Sequence, residues 1–291
     1  MECEATIMMP AFNGEKFLVD SVRSALNQSY NGNYEVLVIN DGSTDETPRI
    51  LEELAKNNSR LRVLHQKNMG LAKIRNRLLD ESRGAILIGL DVDDKLVPNS
   101  LESVLDFYHK NLDLGFVYSD NRCIDEKGNI LYEGKKSECH KHFDELIYFT
   151  QAVGHLRSFK KDLIKNFRFD SFFEVAEDWD FLLKLTPFVK KGHIPEFLYE
   201  YRINEEGICR DNRVTTEFKE SLPIILLEKY VREHNLYPEA NKIEVKRVQE
   251  NEHIIYYEHF VDGVRKSIGG EAKEALVKYF SSFIKSQGVE N

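Results

Sequence analysis

The chain has 291 residues, of which 42% are hydrophobic and 31% charged, a balance typical of a soluble globular protein rather than a disordered one. Its formal net charge of -9 argues against a general nucleic-acid binder, which would carry a basic face. No apolar stretch approaches the ~20 residues that cross a bilayer, and residues 1–4 carry no basic region, so we expect no signal peptide. The four cysteines include no CxxC pair, and we expect free thiols in a reducing cytoplasm.

The first part of the chain alternates apolar runs with segments of helical periodicity. Strands are predicted at residues 5–9, 35–39, 61–64 and 85–90. Helices are predicted at residues 17–26, after Ser43–Thr44, at 71–79 and at 98–108, where apolar residues recur three or four positions apart. This order predicts βαβ units and a mainly parallel sheet flanked by helices. Their apolar residues form continuous rather than alternating runs, as expected when both faces of a sheet are covered.

The pattern changes after Leu114. Residues 116–118 and 129–132 are strand-like and are joined through Lys127-Gly128, which indicates a hairpin and therefore a mixed sheet. From about residue 212 the chain is charged and helical in pattern, and helices are predicted at 217–233, 243–257 and 270–286. We expect a first domain over residues 1–211 and a helical extension over 212–291.

Polar residues follow the predicted strands at four places. These are Pro10–Asn13, Asn40–Ser43, Asn68–Asn76 and Asp91–Asp94. The ends of neighbouring parallel strands open into one crevice, where α/β proteins bind their ligands. We therefore expect these four segments to converge.

Asp91 and Asp93 stand one residue apart, and such carboxylates repel each other unless a cation lies between them. Mg²⁺ and Mn²⁺ take oxygen ligands and commonly bridge carboxylates to phosphates. The pair therefore indicates a metal–diphosphate site, and the alternative is an acidic turn that only caps the helix near Pro98.

A further acidic cluster, Glu177–Asp180, opens a helix. Acids at a helix start are favoured by the macrodipole, which is the plainer interpretation. The alternative is that one acid faces the crevice as a general base while Trp179 offers a stacking surface to a sugar ring.

Five segments occur in order along the chain: MMPAFNGEKFLVDSVRSALNQSY, VLVINDGSTDETPRI, NMGLAKIRNRLL, ILIGLDVDD and AEDWDFLLKL. Together they resemble the family 2 glycosyltransferases, inverting nucleotide-sugar enzymes with the GT-A fold. The resemblance covers residues 5–210 and leaves the C-terminal extension outside it. It implies a GT-A catalytic domain over 1–211, with a donor half up to residue 115 and an acceptor half from 116.

The resemblance also implies roles for individual residues. The donor would be bound by Pro10, Ala11, Phe12, Asn13, Asp41, Arg75, Asp91 and Val92. Asp93 would coordinate the metal directly, and Asp91 would face the ribose and the hydrated metal. Asp178 would be the base for the acceptor hydroxyl, flanked by Glu177 and Trp179.

The implied activity is metal-dependent inverting transfer from a nucleoside-diphosphate sugar, with a UDP-sugar and Mn²⁺ or Mg²⁺ expected. The acceptor would be a saccharide or lipid-linked saccharide in polysaccharide, glycolipid or glycoprotein synthesis, with peripheral contact at the inner membrane face and the oligomeric state left open. The alternatives are a catalytically silent GT-A binding module and a sugar nucleotidyltransferase. The latter would need a basic, glycine-rich loop after the first strand, unlike residues 10–14.

Two positions depart from the family pattern. Asn40 stands where an aspartate is common, and Asn204 where many members carry a histidine that can bind the metal or a phosphate. The loop from Asn204 to Asp211 could close over the donor, with Arg202 or Arg210 meeting the diphosphate, or could be a solvated loop.

Overall fold

The computed structural model of the protein describes residues 3–136, 140, 153, 155–171, 177–186, 188–204, 243–251, 254–261 and 264–266. The chain divides into two compact units. The first comprises Met1–Lys135 and Gly154–Asn204, and the second Lys136–Val153 and Glu205–Asn291. The expected boundary at residue 211 and the expected donor and acceptor halves stay predictions.

The first unit alternates strands and helices over most of its length. Its strands are β1 (Ala5–Ala11), β2 (Tyr34–Asp41), β3 (Leu61–Gln66), β4 (Ile86–Gly89), β5 (Lys95–Leu96), β6 (Leu114–Ile124), β7 (Ile130–Gly134), β8 (Arg157–Lys160) and β9 (Lys190–Arg202). Its helices are α1 (Leu18–Leu26), α2 (Thr47–Lys56), α3 (Leu71–Glu81), α4 (Ser100–Lys110), α5 (Lys161–Ile164) and α6 (Glu177–Leu185). None of the helices among the described residues is long and apolar enough to cross a bilayer.

Within the described residues of this unit, nine strands form one sheet in the order β3-β2-β1-β4-β8-β6-β9-β5, with β7 paired to β6. The four strands from β3 to β4 run parallel. β8 is antiparallel to both its neighbours, β4 and β6, while β9 runs parallel to β6. This arrangement confirms the predicted mixed, mainly parallel α/β sheet.

The central strands are buried along their whole length because helices cover the sheet. Every residue of β1 and β2 is buried. Helix α1 contributes one apolar face and buries Leu18, Val22 and Ala25, positions that share a face at 3.6 residues per turn. The predicted hairpin is also confirmed, since β6 and β7 pair antiparallel.

In the second unit the described strands form a three-stranded antiparallel sheet of β10 (Ile243–Asn251), β11 (Ile254–Val261) and β12 (Val264–Lys266). The helix predicted at 243–257 is therefore wrong. Ile254-Ile255-Tyr256-Tyr257 is a run of β-branched and aromatic residues, which favours a strand over a helix. The helices predicted at 217–233 and 270–286 lie outside the described residues.

Candidate active site

The turns that follow β1 and β2 are joined by hydrogen bonds. Asn13 has a left-handed backbone with φ of 47°, a conformation that asparagine adopts more readily than most residues. Its Oδ1 accepts a hydrogen bond from the backbone N–H of Thr44 (2.9 Å), and its own N–H donates to Ser43 Oγ (2.9 Å). Ala11 is buried, whereas 49% of Phe12 is exposed. The turns therefore present the Phe12 ring at the end of β1.

Asp41 at the end of β2 is bonded to the loop that precedes α3. Its Oδ1 accepts hydrogen bonds from Gln66 Nε2 (2.5 Å) and the N–H of Met69 (3.0 Å), and its Oδ2 accepts from the N–H of Gly70 (3.0 Å). The buried carboxylate thus satisfies two backbone donors at the start of the helix. Its predicted contact with the donor nucleoside stays a prediction.

Arg75 on α3 joins two of the predicted site segments. Its Nη2 donates to Asp91 Oδ1 (3.1 Å) and its Nε to Glu177 Oε1 (2.9 Å). A guanidinium can do this because its donors form a rigid, planar fork. Burial alone raises the pKa of Asp91, but the charges of Arg75 and Arg157 lower it overall, so Asp91 is ionised.

Asp178, in the first turn of α6, pairs with a second arginine. Arg157 Nη1 donates to Asp178 Oδ2 (2.5 Å), and the N–H of Trp179 donates to Asp178 Oδ1 (2.7 Å). Burial alone raises the pKa of Asp178, but the positive charges of Arg157 and Arg75 lower it to about 2. Asp178 is therefore a carboxylate at neutral pH.

The pKa of Glu177, the residue before Asp178, is raised rather than lowered. Burial and the charge of Asp178 raise the pKa of Glu177 to about 7, against the attraction of Arg75. Its side chain is only 4% exposed, so little water reaches it. The two neighbouring acids therefore differ in protonation, with Asp178 ionised and Glu177 partly protonated near neutral pH.

The predicted metal ligand Asp93 lies in a setting that favours a cation. Burial and the charge of Asp91 raise the pKa of Asp93, and Asn204 Nδ2 donates to Asp93 Oδ2 (2.7 Å). A cation beside Asp93 would relieve this repulsion. The donor set thus fits a hard divalent ion that takes its remaining ligands from phosphates and water. Among the described residues, no group of three or more His, Cys, Asp or Glu side chains is arranged to hold a metal.

Asp94, next to Asp93, has a structural role. Its Oδ2 accepts from Tyr199 Oη (2.6 Å) and its Oδ1 from the N–H of Arg202 (2.7 Å), which ties the turn to β9. Arg202 Nε donates to the backbone oxygen of Asp93 (2.7 Å) and its guanidinium lies over Phe17. Arg202 therefore stabilises the turn that contains Asp93 and Asp94. Arg210, the other residue expected to meet the diphosphate, lies outside the described residues.

Several of these side chains line one pocket. Its lining comprises Met8, Pro10, Arg75, Leu78, Gly89, Asp91, His155, Arg157, Phe159, Phe169, Asp178, Phe181 and Leu182. The structure therefore brings Pro10, Arg75, Asp91 and Asp178 together. Trp179 does not line it, and only 7% of Trp179 is exposed, so most of its ring packs in the interior of the unit.

His155 and Arg157 are pocket residues that the sequence reasoning missed. The His155 ring stacks on Tyr199 and Tyr201, with centroids 4.9 and 5.5 Å away. Burial, and then the charge of Arg157, lower the pKa of His155 to about 4, so it is neutral. Polar and apolar residues do not alternate strictly in His155-Leu156-Arg157-Ser158-Phe159, so the sequence pattern gave no clear signal for these two residues.

Comparison with known proteins agrees with this architecture. The model of the family "Glycosyl transferase family 2" matches residues 6–166, more than half of the chain. The chain therefore belongs to glycosyl transferase family 2, a family of glycosyltransferases.

Among individual relatives, the chondroitin synthase of Escherichia coli is 34% identical over 234 residues, which cover 77% of this chain and 33% of that protein. The chain thus spans about a third of the length of this curated relative.

Solved structures show the same GT-A fold. Staphylococcus aureus TarS residues 1–349, in complex with UDP-GlcNAc, superpose with a TM-score of 0.62 at 19% identity, covering 80% of this chain and 73% of that one. The mannosyltransferase PcManGT of Pyrobaculum calidifontis, in complex with GDP-Man and Mn²⁺, superposes with a TM-score of 0.55 at 16% identity, covering 83% and 77%.

Proposed function

We propose that the chain is a metal-dependent inverting glycosyltransferase that moves a sugar from a nucleoside-diphosphate sugar to a hydroxyl acceptor. One observation carries the proposal: Arg75, Asp91 and Asp178 meet in one pocket at the carboxyl ends of β1 and β4. In open α/β sheets this edge is where ligands bind. Membership of glycosyl transferase family 2 gives the class of reaction.

The donor would occupy the crevice outside β1, β2 and β4. Pro10 to Asn13, Asp41 and Arg75 would contact the nucleoside and phosphates, and Asp91 with Val92 would face the ribose. We propose UDP as the nucleotide, supported by the UDP-GlcNAc complex of TarS, although the PcManGT complex contains GDP-Man. Calorimetric titration with each nucleotide decides between UDP and GDP.

Asp93, with Asp91 beside it, would hold Mn²⁺ or Mg²⁺. The raised pKa of Asp93, which burial and the charge of Asp91 cause, supports this assignment because a cation removes the repulsion. When bound, the metal acts as a Lewis acid that offsets the charge of the nucleoside-diphosphate leaving group. Asn204 holds Oδ2 of Asp93 by its hydrogen bond and so orients the carboxylate.

Asp178 would take the proton of the acceptor hydroxyl as that oxygen attacks the anomeric carbon. A single in-line displacement assisted by one base inverts the configuration and needs no covalent intermediate. General-base assistance contributes ~10²–10⁴-fold to such a rate. Glu177 would flank the acceptor, and the predicted contact of Trp179 would be limited to the small exposed part of its ring.

The acceptor would be a saccharide or lipid-linked saccharide in polysaccharide, glycolipid or glycoprotein synthesis. The similarity to a chondroitin synthase supports polysaccharide synthesis. A lipid-linked acceptor would bring the chain to the inner face of the membrane, where cytoplasmic nucleotide sugars are available.

The test is a calorimetric titration of the protein with UDP, GDP and dTDP, each with Mn²⁺ and with EDTA. We expect one nucleotide to bind only with metal, and Asp93→Asn to weaken this binding at least about 10-fold, since the loss of even an outer-shell partner of a metal ligand has that effect. The matched control is Asp106→Asn, because Asp106 is exposed and pairs only loosely with Lys110 (3.9 Å).

A folded protein that binds none of the three nucleotides would contradict the proposal and favour a silent GT-A module. If a nucleotide binds, slow hydrolysis of its sugar donor shows catalysis, and Asp178→Asn should reduce turnover while leaving nucleotide affinity within about twofold, as expected for a group that acts in the transition state.

A further inference from the structure

Strand β8 inserts Arg157 into the pocket from the middle of the sheet. In the β4–β8 pairing, Arg157 lies opposite Gly89, two residues before Asp91. In the β6–β8 pairing, Arg157 lies opposite Tyr118, so strands hold it on both sides. Its side chain is 8% exposed. Arg157 is therefore placed by the sheet rather than by a loop, which makes its position well defined.

The contacts of Asp178 explain what this position achieves. One carboxylate oxygen accepts a hydrogen bond from Arg157 and the other accepts one from the N–H of Trp179. Two donors from two different elements, β8 and α6, fix the rotation of the carboxylate. The pairing of a carboxylate with a guanidinium is also among the stronger hydrogen bonds in proteins.

The charges around Asp178 show why a second arginine is needed. Arg75 approaches from α3, Asp91 from the turn after β4, Arg157 from β8 and His155 from the segment just before β8, while Glu177 precedes Asp178 on α6. Arg75 donates its hydrogen bonds to Asp91 and Glu177. Arg157 bonds directly to Asp178, and adjacent carboxylates without a cationic partner share a proton.

We propose that Arg157 is a positioning residue for the reaction, which orients the Asp178 carboxylate and supplies the positive charge that pairs with it. This inference rests on the proposed function, in which Asp178 is the base. It gives the two arginines separate tasks: Arg75 ties the donor side to α6, and Arg157 prepares the base. In this proposal Arg157 acts through Asp178 rather than on the substrate.

The experiment compares Arg157→Gln, Arg157→Lys and wild type in metal-dependent donor turnover across pH, and in nucleotide binding by calorimetry. Arg157→Gln should lower kcat about 100-fold, the lower range of a general base's contribution, with nucleotide affinity within about twofold. In the pH–rate profile of Arg157→Gln, the midpoint of the fall in kcat at low pH should move up by about one pH unit or more. The loss of a neighbouring cation raises the pKa of a carboxylate, here that of Asp178. Arg157→Lys keeps the charge but not the fork, and should restore part of kcat and of the pH profile.

Arg168→Gln is the matched control. Arg168 is an exposed arginine that pairs with Asp80 on the surface (3.0 Å), and this variant should behave as wild type. A double variant, Arg157→Gln with Asp178→Asn, should be no slower than Asp178→Asn alone, because residues that act through one group are not additive.

Two results would overturn the inference. One is that the losses of kcat add in the double variant while the pH–rate profile of Arg157→Gln stays as in wild type, which would mean that Arg157 has only a structural role. The other is a loss of nucleotide affinity equal to the loss of turnover, which would make Arg157 a phosphate ligand. If Arg157→Gln does not fold, the pH–rate profile of Arg157→Lys is the test. Lysine keeps the positive charge, so a shift of this profile as large as the one expected for Arg157→Gln would contradict the inference. Failure of the proposed function is separate, because wild type would then show no turnover.

Discussion

Glu177 and Asp178 show how one helix start can hold two acids in different protonation states. Both are near Arg75, which bonds Glu177, while Arg157 bonds Asp178. Glu177 is the more deeply buried, with a side chain 4% exposed against 17% for Asp178. Environments that push two pKa values apart are how proteins assign acid and base roles. The difference therefore follows from which side chain receives the second cation.

Replacing Glu177 by Gln should stabilise the protein above pH 7 and have little effect near pH 5. Burial and the charge of Asp178 raise the folded-state pKa of Glu177 to about 7, above its value in the unfolded chain. Folded protein then binds more protons, so wild type loses stability as pH rises from about 4.5 to 7. Gln is neutral at every pH and keeps an oxygen for Arg75. We expect a gain on the order of 1–3 kcal/mol at pH 8.5 in urea unfolding.

The control for this prediction is Glu53→Gln, because Glu53 is 59% exposed and pairs with Arg49 on the surface of α2. Exposed pairs of this kind contribute about 0–1 kcal/mol, so the variant should show no comparable dependence on pH. A Glu177→Gln variant whose stability changes equally at pH 5 and pH 8.5 would show that Glu177 is ionised throughout.

At the scale of elements, the position of helix α3 depends on a close contact between two backbone segments at the turn after β2. Gly42 has φ of 72°, and a Cβ there would come within 2.6 Å of the backbone N of Asn68. The loop that includes Asn68 is the one whose N–H groups bond to Asp41 just before α3. Close approach of two backbones at Gly42 thus sets where α3, and with it Arg75, begins.

Gly42→Ala should therefore destabilise the protein more than Gly128→Ala. Gly128 has φ of 88° but open space around it, so its replacement introduces only left-handed strain, about 1–2 kcal/mol. Gly42→Ala adds a collision with backbone, which we expect to cost about 1–3 kcal/mol more. Urea unfolding of both variants measures the difference. An equal loss of unfolding free energy in the two variants would mean that the loop before α3 can shift without cost.

Whether an element could be predicted depended on where its partners lie in the sequence. β1, β2, β3 and β4 were predictable because each contains a short apolar segment that a helix separates from the next. β8 was not predicted: it is four residues long, and its partners β4 and β6 are far from it along the chain. Local pattern carries no information on such a pairing.

The same reason explains which site residues were found. Arg75, Asp91 and Asp178 belong to segments with a recognisable pattern, so the sequence pointed to them. Arg157 belongs to β8 and His155 lies just before it, so both could be placed only when the sheet order was known. The opposite error occurred at 243–257, where charged residues suggested a helix and the β-branched and aromatic run at Ile254–Tyr257 formed a strand.

At the scale of the whole molecule, the pocket is assembled from parts of the first unit that are distant in sequence. Its lining runs from Met8 on β1 through Arg75 on α3 to Leu182 on α6. Central strands β4 and β8 contribute Gly89 and Arg157. A ligand that contacts all these elements binds only when they are folded together, so its binding energy is added to the stability of the unit.

Nucleotide with Mn²⁺ should therefore raise the thermal midpoint of the unit that holds the pocket. At about 100 times the dissociation constant, the gain is about 2.7 kcal/mol, which corresponds to roughly 5–10 °C for a unit of this size. Asp93→Asn should retain the midpoint of the free protein but lose most of the shift, because metal-assisted binding is weakened. A scanning calorimeter measures both. An equal shift in Asp93→Asn, or a shift that persists with EDTA, would show that the nucleotide binds without the metal at Asp93.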